Sequence, residues 1–284
     1  MSTDAHRVGR AFARHYGTYD EHAVVQRTIA ERLDALIGQY AEERPIRRAL
    51  EIGMGTGLLS RLLARRFPEA EWWFNDLVPE ALCHVPNELR EPHLLPGDAE
   101  RISFPTKLDL IASASAIQWF DDLPHFFEEA FKALMPGALL ALSSFAYGHF
   151  CELQLLTGKP LPYPTPSELS DMAERAGFTV SLCESHPQIL HFATLRELLH
   201  HLRSTGVNGR SSAGIHSRQQ LAKLQERYRR ALAVSAELRP PPPYTPFPPL
   251  AYQTPAPADS LRADPWRTPA PALPRAPATR ALRR

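Results

Sequence analysis

A run of glycines is the feature of this chain with the clearest chemical use. Gly53-Met-Gly55-Thr-Gly57 follows a short apolar stretch from Arg48 and precedes a helical pattern from Leu58 to Phe67. Glycine lets the backbone turn tightly and come close to a ligand, since no Cβ stands in the way. The helix that opens next offers unsatisfied N–H groups to a polar ligand. The spacing is GxGxG rather than the GxGxxG of dinucleotide enzymes, because position 58 is leucine. That departure weighs against a nicotinamide cofactor. A turn that only packs a helix on a sheet uses the same residues, so the loop by itself names no ligand.

Two acids extend the pattern. Asp76 falls at the end of the second expected strand, 19 residues beyond Gly57. A carboxylate there accepts hydrogen bonds from two ribose hydroxyls, or caps the helix that follows, and the two roles are compatible. Gly97-Asp98-Ala99-Glu100 comes just after a third, short strand. Asp98 can accept from an adenine amino group while the next backbone N–H, at Ala99, meets a ring nitrogen. Alone, Gly-Asp is only a turn. In this order, Glu51, Gly53, Gly55, Gly57, Asp76, Asp98 and Ala99 form a three-point cofactor site.

The elements around these residues alternate. Val25, Ile29, Leu33, Leu36 and Ile37 recur at helical spacing, which predicts a helix over 21–40. Strands are expected at 48–53, 71–77, 93–95, 109–115 and 138–145, with helices at 58–67 and 123–135 and a weaker one at 79–83. Asp121-Asp122 signals the start of the helix at Leu123, and Pro136-Gly137 its end. A further helix runs from Thr165 to Ala176, then a strand region over 179–192, then helices at 195–204 and 217–232. Strands alternating with helices indicate βαβ units, so the fold class is α/β, Rossmann-like and doubly wound, with an N-terminal helix.

Composition narrows the class. The 284 residues are 44% hydrophobic and 22% charged, ordinary for one globular domain with an appendage. A net charge of +1 gives no basic face for a nucleic acid. No stretch nears the roughly 18 apolar residues that span a bilayer. Residues 1–17 carry no signal-peptide core, so the expected location is the cytoplasm. Cys83, Cys151 and Cys183 are far apart and form no CxxC pair, which leaves them as free thiols. The histidines are scattered, His200-His201 being merely adjacent, and no metal is expected.

After about Val234 the composition changes. Half of the 28 prolines lie between Pro240 and Pro277, and no glycine follows Gly214. Proline removes backbone donors and fixes φ, so residues 235–284 are expected to be a disordered, polyproline-like tail that supplies no interior strand. Pro243 to Pro246 has the spacing of an SH3-type ligand. The expected domain is therefore 1–234, with the tail as 235–284.

The motifs together resemble the class I S-adenosylmethionine-dependent methyltransferases, whose first motif is similar to Glu51-Ile-Gly53-Met-Gly55-Thr-Gly57 and whose second-strand acid matches Asp76. The resemblance implies that the glycine loop lies against the methionine part of S-adenosylmethionine. It also implies that Asp76 holds the ribose and Asp98 the adenine. Val8 to about Leu232 is similar to a narrower family, the malonyl-acyl-carrier-protein O-methyltransferases of biotin synthesis. The matching stretches are 11–16 with 19–23 and Gln26, then Gln118-Trp119 before Asp121-Asp122-Leu123-Pro124, and finally Leu202 to Asn208.

That narrower resemblance implies methylation of the free carboxylate of a malonyl thioester, carried on acyl-carrier protein or coenzyme A. Its product is the ester that starts pimeloyl synthesis. The expected substrate side comprises Tyr16 and Tyr19 as a cover, Gln118 and Trp119 at the end of the fourth strand, and Arg203 beside the carboxylate. Each also has a plain structural use: packing for the tyrosines and Trp119, a solvated helix face for Arg203. Another small carboxylate or quinone-like acceptor fits the general motifs equally, as does cofactor binding without catalysis. The likeness stops near 231–234. Members of the family continue into a last antiparallel strand beside the one after Phe178, and the tail here contains no comparable segment. The expectation is a missing last strand, and with it either a repaired sheet edge or a weakened protein.

Overall fold

The computed structural model describes residues 19–145, 163–184, 194–204, 222–226 and 250–253, with the single residues 9, 13, 192, 219 and 228. A helical turn, Tyr19–His22, leads into α1, Val24–Ala41. Strand β1 (Arg48–Ile52), helix α2 (Leu58–Arg66) and strand β2 (Glu71–Asp76) form the first βαβ unit. A two-turn 3₁₀ stretch at Pro79–His84 leads to β3, His93–Pro96. Next come β4 (Leu108–Ala114), α3 (Leu123–Ala133), β5 (Leu134–Ser143), α4 (Pro166–Arg175), β6 (Thr179–Cys183) and α5 (Leu195–Ser204).

These elements form a seven-stranded sheet in the order β3-β2-β1-β4-β5-β7-β6, where β7 is Leu250–Gln253. The first five strands are parallel, with Leu50 opposite Trp73 on one side and Ile111 on the other. Side chains alternate across the sheet, as the strand period requires. Leu50, Ile52, Leu140 and Leu142 pack with Phe126, Phe127 and Leu169 of α3 and α4 on one face. Ala49, Leu110, Leu139 and Ala141 pack with Leu33, Ile37, Leu59 and Leu63 of α1 and α2 on the other. Both faces are covered, which explains the continuous apolar runs of the parallel strands.

Local signals set the helix starts. The Asp122 carboxylate accepts from the His125 N–H at 3.1 Å. Thr165 and Glu168 make a reciprocal capping box at the head of α4. The weak helix expected at 79–83 is a 3₁₀ stretch. The long strand expected at 179–192 is described only to Cys183, and of the helix expected at 217–232 only 219, 222–226 and 228 are described.

The expectation of a missing last strand is overturned. Strand β7 lies between β5 and β6, antiparallel to both, with Ala251 opposite Ala141 and Leu182. It comes from inside the proline-rich segment, so the sheet extends past the boundary expected at 234. The physical reason is local. Composition over fifty residues excludes a strand on average, but Leu250-Ala-Tyr-Gln253 is a proline-free interval between Pro249 and Pro255. All four of its residues keep an N–H, and four residues suffice to bridge two edges. The sheet edge is repaired. The rest of the tail, including Pro243 to Pro246, lies outside the described residues.

Candidate active site

The carboxyl ends of β1, β2, β3 and β4 open into one pocket, the crevice where open α/β sheets bind ligands. The glycine loop forms its floor. Gly53, Gly55 and Gly57 all have positive φ, at 67°, 54° and 79°. A Cβ on Gly53 would stand 2.3 Å from the Ala116 Cβ, so the loop passes against the end of β4 with no room for a side chain. Gly55 is different: a Cβ there would meet nothing within 4 Å, because it would project into the pocket. Packing explains glycine at 53. At 55 the left-handed φ favours glycine, and the space beside it is left open to a ligand.

Asp76 ties the loop to β2. One carboxylate oxygen accepts from the Gly55 N–H and the other from the Val78 N–H, both at 2.8 Å. Each oxygen has a second lone pair, so capping and ribose contact are compatible here. Burial raises the pKa of Asp76, while the N–H groups of Val78, Gly55 and Leu77 oppose the rise. Asn75 beside it donates to the Leu95 and Gly97 carbonyls at 2.7 and 2.9 Å, which holds the next loop in place. In that loop Asp98 accepts from the Glu100 N–H at 3.1 Å and pairs with Arg101 at 3.4 Å. Asp98, Ala99 and Glu100 all line the pocket. Glu100 in turn accepts from the Asp121 and Asp122 N–H groups at 2.8 and 2.5 Å, which fastens the 97–100 loop to the start of α3.

Glu51 is the most buried acid of the site, 1% exposed, and its Oε2 has no hydrogen-bond partner among the described residues. Burial pushes its pKa up to about 8. The Asp76 carboxylate adds to the rise, and the Ser60 hydroxyl and Arg61 guanidinium oppose it. Gln26, on the first turns of α1, also lines the pocket with a buried, unpartnered Oε1. Tyr19 lines it too, and burial raises its phenol pKa, with Asp20 and Asp76 contributing.

Of the residues expected from sequence, Glu51, Gly53, Gly55, Asp76, Asp98, Ala99, Tyr19 and Trp119 converge on this one pocket. Gly57 stands behind it as the left-handed N-cap of α2. Gln118 is not in the wall. Its amide nitrogen donates to the Ser115 carbonyl at 2.5 Å, and its Oε1 accepts from the Ser144 hydroxyl at 3.4 Å, so it braces the end of β4 against β5. Arg203 lies on α5, and its side chain is outside the described residues, as are Tyr16 and 205–208. Sequence reasoning gave no role to Gln26, Asn75 or Glu100. Gln26 shares a helix face with Ile29 and Leu33, and an amide on an apolar stripe is the signal that marks it.

The pocket suits S-adenosylmethionine. It offers an open glycine cradle, the Asp76 carboxylate beside it, the Asp98-Ala99 loop, and buried oxygens of Glu51 and Gln26 that lack a hydrogen-bond partner among the described residues. Among the described residues, no group of three or more His, Cys, Asp or Glu could hold a metal ion. No helix among them is long and apolar enough to cross a membrane.

Comparison with known proteins agrees with this geometry. Residues 50–142 match the family described as "Methyltransferase domain". A malonyl-[acyl-carrier protein] O-methyltransferase of Chlorobium phaeovibrioides is 40% identical over 208 residues, which cover 71% of this chain and 80% of that protein. One from Bacteroides thetaiotaomicron is 38% identical over 207 residues, 72% of this chain and 78% of that one. The YcgJ protein of Bacillus subtilis shares the fold, with a TM-score of 0.54 at 14% identity over 79% of this chain and 99% of its own. The chain is a methyltransferase that uses S-adenosylmethionine, and it belongs to the malonyl-[acyl-carrier protein] O-methyltransferase family.

Proposed function

We propose that this chain methylates the free carboxylate of a malonyl thioester, with acyl-carrier protein or coenzyme A as the carrier, in the cytoplasm. The observation that carries the reading is 40% identity to a relative of that name, and it is supported by a pocket lined by Glu51, Gly53, Gly55, Asp76, Asp98 and Ala99. S-adenosylmethionine, when bound, supplies a methyl group on a positively charged sulfur. Every other requirement falls to the residues of the chain.

The acceptor asks for little activation. A carboxyl group of ordinary pKa, roughly 4, is ionised at pH 7, so no general base is needed. What the protein must provide is alignment of the carboxylate oxygen with the methyl carbon and sulfur, and removal of water from that line. The loop from Gly53 to Gly57 and Asp76 fix one end of the line. Tyr19, Trp119 and Phe120 wall the other part of the pocket with aromatic surface that keeps water out. Gln26 supplies an amide there that can hold a carboxylate oxygen by a neutral donor. A neutral donor orients the nucleophile without the charge neutralisation an arginine brings.

Incubation with cofactor labelled in the methyl group, and with malonyl-carrier protein and malonyl-coenzyme A separately, tests this. The expected product is a labelled methyl ester on at least one thioester. Label in neither, from protein that binds S-adenosylhomocysteine by calorimetry, would remove the malonyl reading and leave a methyltransferase for another acceptor.

A further inference from the structure

The helical turn Tyr19–His22 is too short to be stable alone, yet it brings Tyr19 into the cofactor pocket. Three of the polar contacts that tie it to the rest of the domain involve Asp20. The hydroxyl of Thr56, which stands between Gly55 and Gly57, donates to the Asp20 carboxylate at 2.5 Å. Arg61 on α2 reaches the other carboxylate oxygen at 3.7 Å and also donates to the Thr56 carbonyl at 2.7 Å. Arg27 on α1 donates to the Asp20 carbonyl at 3.1 Å. The same turn also runs close to α5.

We propose that Asp20 is a positioning residue, a clasp that fastens the N-terminal turn onto the glycine loop so that Tyr19 closes over bound cofactor. Three observations carry this. Thr56 is 6% exposed, so its hydroxyl must find a partner inside the protein, and its hydrogen bond to Asp20 meets that need. The Arg61 pair is half-exposed, with side chains 40% and 45% accessible, so it is screened and secondary. The clasp touches the loop at the residue beside Gly55, so any ligand that orders the loop also orders the turn.

The inference rests on the pocket holding S-adenosylmethionine, and the test keeps the two apart. Release of S-adenosylhomocysteine would be timed by stopped flow for the parent chain, Asp20→Ala, Thr56→Val, the double variant and Asp20→Glu. A charge-assisted hydrogen bond of ordinary strength corresponds to release about tenfold faster in Asp20→Ala. The double variant should release no faster than Asp20→Ala alone, because both substitutions break one contact. Asp20→Glu should recover part of the slow release, and KM for the cofactor should rise in Asp20→Ala more than kcat falls. Thr56→Val leaves Asp20 in place, so it serves if Asp20→Ala does not fold. Unchanged release in either single variant, or effects that multiply in the double variant, would overturn the clasp. No binding by the parent chain would overturn the cofactor reading and the clasp with it.

Discussion

The two ends of the sheet are built on different terms. Strands β1, β2 and β3 pair with one another within the span Arg48 to Pro96, joined in turn by short helical connections, and β1 pairs on its other side with the next strand in the chain, β4. Strands β5 and β6 are joined only through β7, which returns from Leu250–Gln253. The near end carries the chemistry and is specified by neighbouring sequence. The far end carries no described pocket residue beyond β4, and its closure depends on four residues from a proline-rich segment. The lesson is that a fold can keep its site local and leave its closure to a distant strand.

The sharpest way to break that contrast is to damage the distant strand alone. Ala251→Pro removes a donor between two strands and fixes φ where an extended value is needed. Orphaned groups on β5 and β6 cost about 1–3 kcal/mol each. The melting temperature, followed by circular dichroism, should fall by about 10 °C, since 1 kcal/mol is worth roughly 2–4 °C in a chain of this size. Cofactor binding measured well below the new midpoint should stay within about threefold of the parent. An unchanged melt would show that β7 does not close the sheet.

Gly55→Val is the reciprocal experiment. The added Cβ meets nothing in the protein within 4 Å, and the two methyl groups beyond it would take up space in the cradle. Cofactor affinity should fall about 100-fold, equal to roughly 2.7 kcal/mol. Stability should fall only by the left-handed backbone penalty, about 1–2 kcal/mol, or some 5 °C. Calorimetry and a melt on the same preparation separate the two. A large drop in stability with affinity retained would mean that the open space belongs to packing rather than to a ligand.

The same contrast explains what was legible beforehand. The glycine loop, Asp76 and Asp98 could be read because each sits at a strand end marked by local pattern, and local pattern survives folding. The helices at Leu123 and Pro166 could be read from Asp122 and Thr165, whose caps act within three residues. Strand β7 could not, because its evidence is a proline-free gap, and what makes four residues a strand is two waiting edges far away. Asp20 was equally hidden. It is separated from Thr56 by 36 residues, and no spacing rule connects a turn before α1 to a loop after β1. Gln118 and Trp119 differ for a third reason: both sit on the 3₁₀ turn Ile117–Trp119, where Trp119 lines the pocket while Gln118 bonds to Ser115 and Ser144.

A smaller effect distinguishes the two ends by pH. Glu51 has a folded pKa of about 8 against an ordinary value of 4.5, chiefly through burial. Between those values the folded chain keeps a proton that the unfolded chain has released. The Glu51 contribution is therefore most favourable below 4.5, declines as pH rises through the window, and falls no further above about 8. One pKa unit is worth about 1.4 kcal/mol, so the melt should drop by roughly 3–6 °C per pH unit between pH 6 and 7. Glu51→Gln should flatten that slope, while Ala251→Pro should lower the curve without tilting it. Cofactor reverses the preference of Glu51, because a cation in the pocket favours the ionised carboxylate. Binding should then release a proton in the parent and none in Glu51→Gln, read by calorimetry in two buffers of different ionisation enthalpy. Equal proton release in both would place the titrating group elsewhere and leave Glu51 as a buried acid with no part in binding.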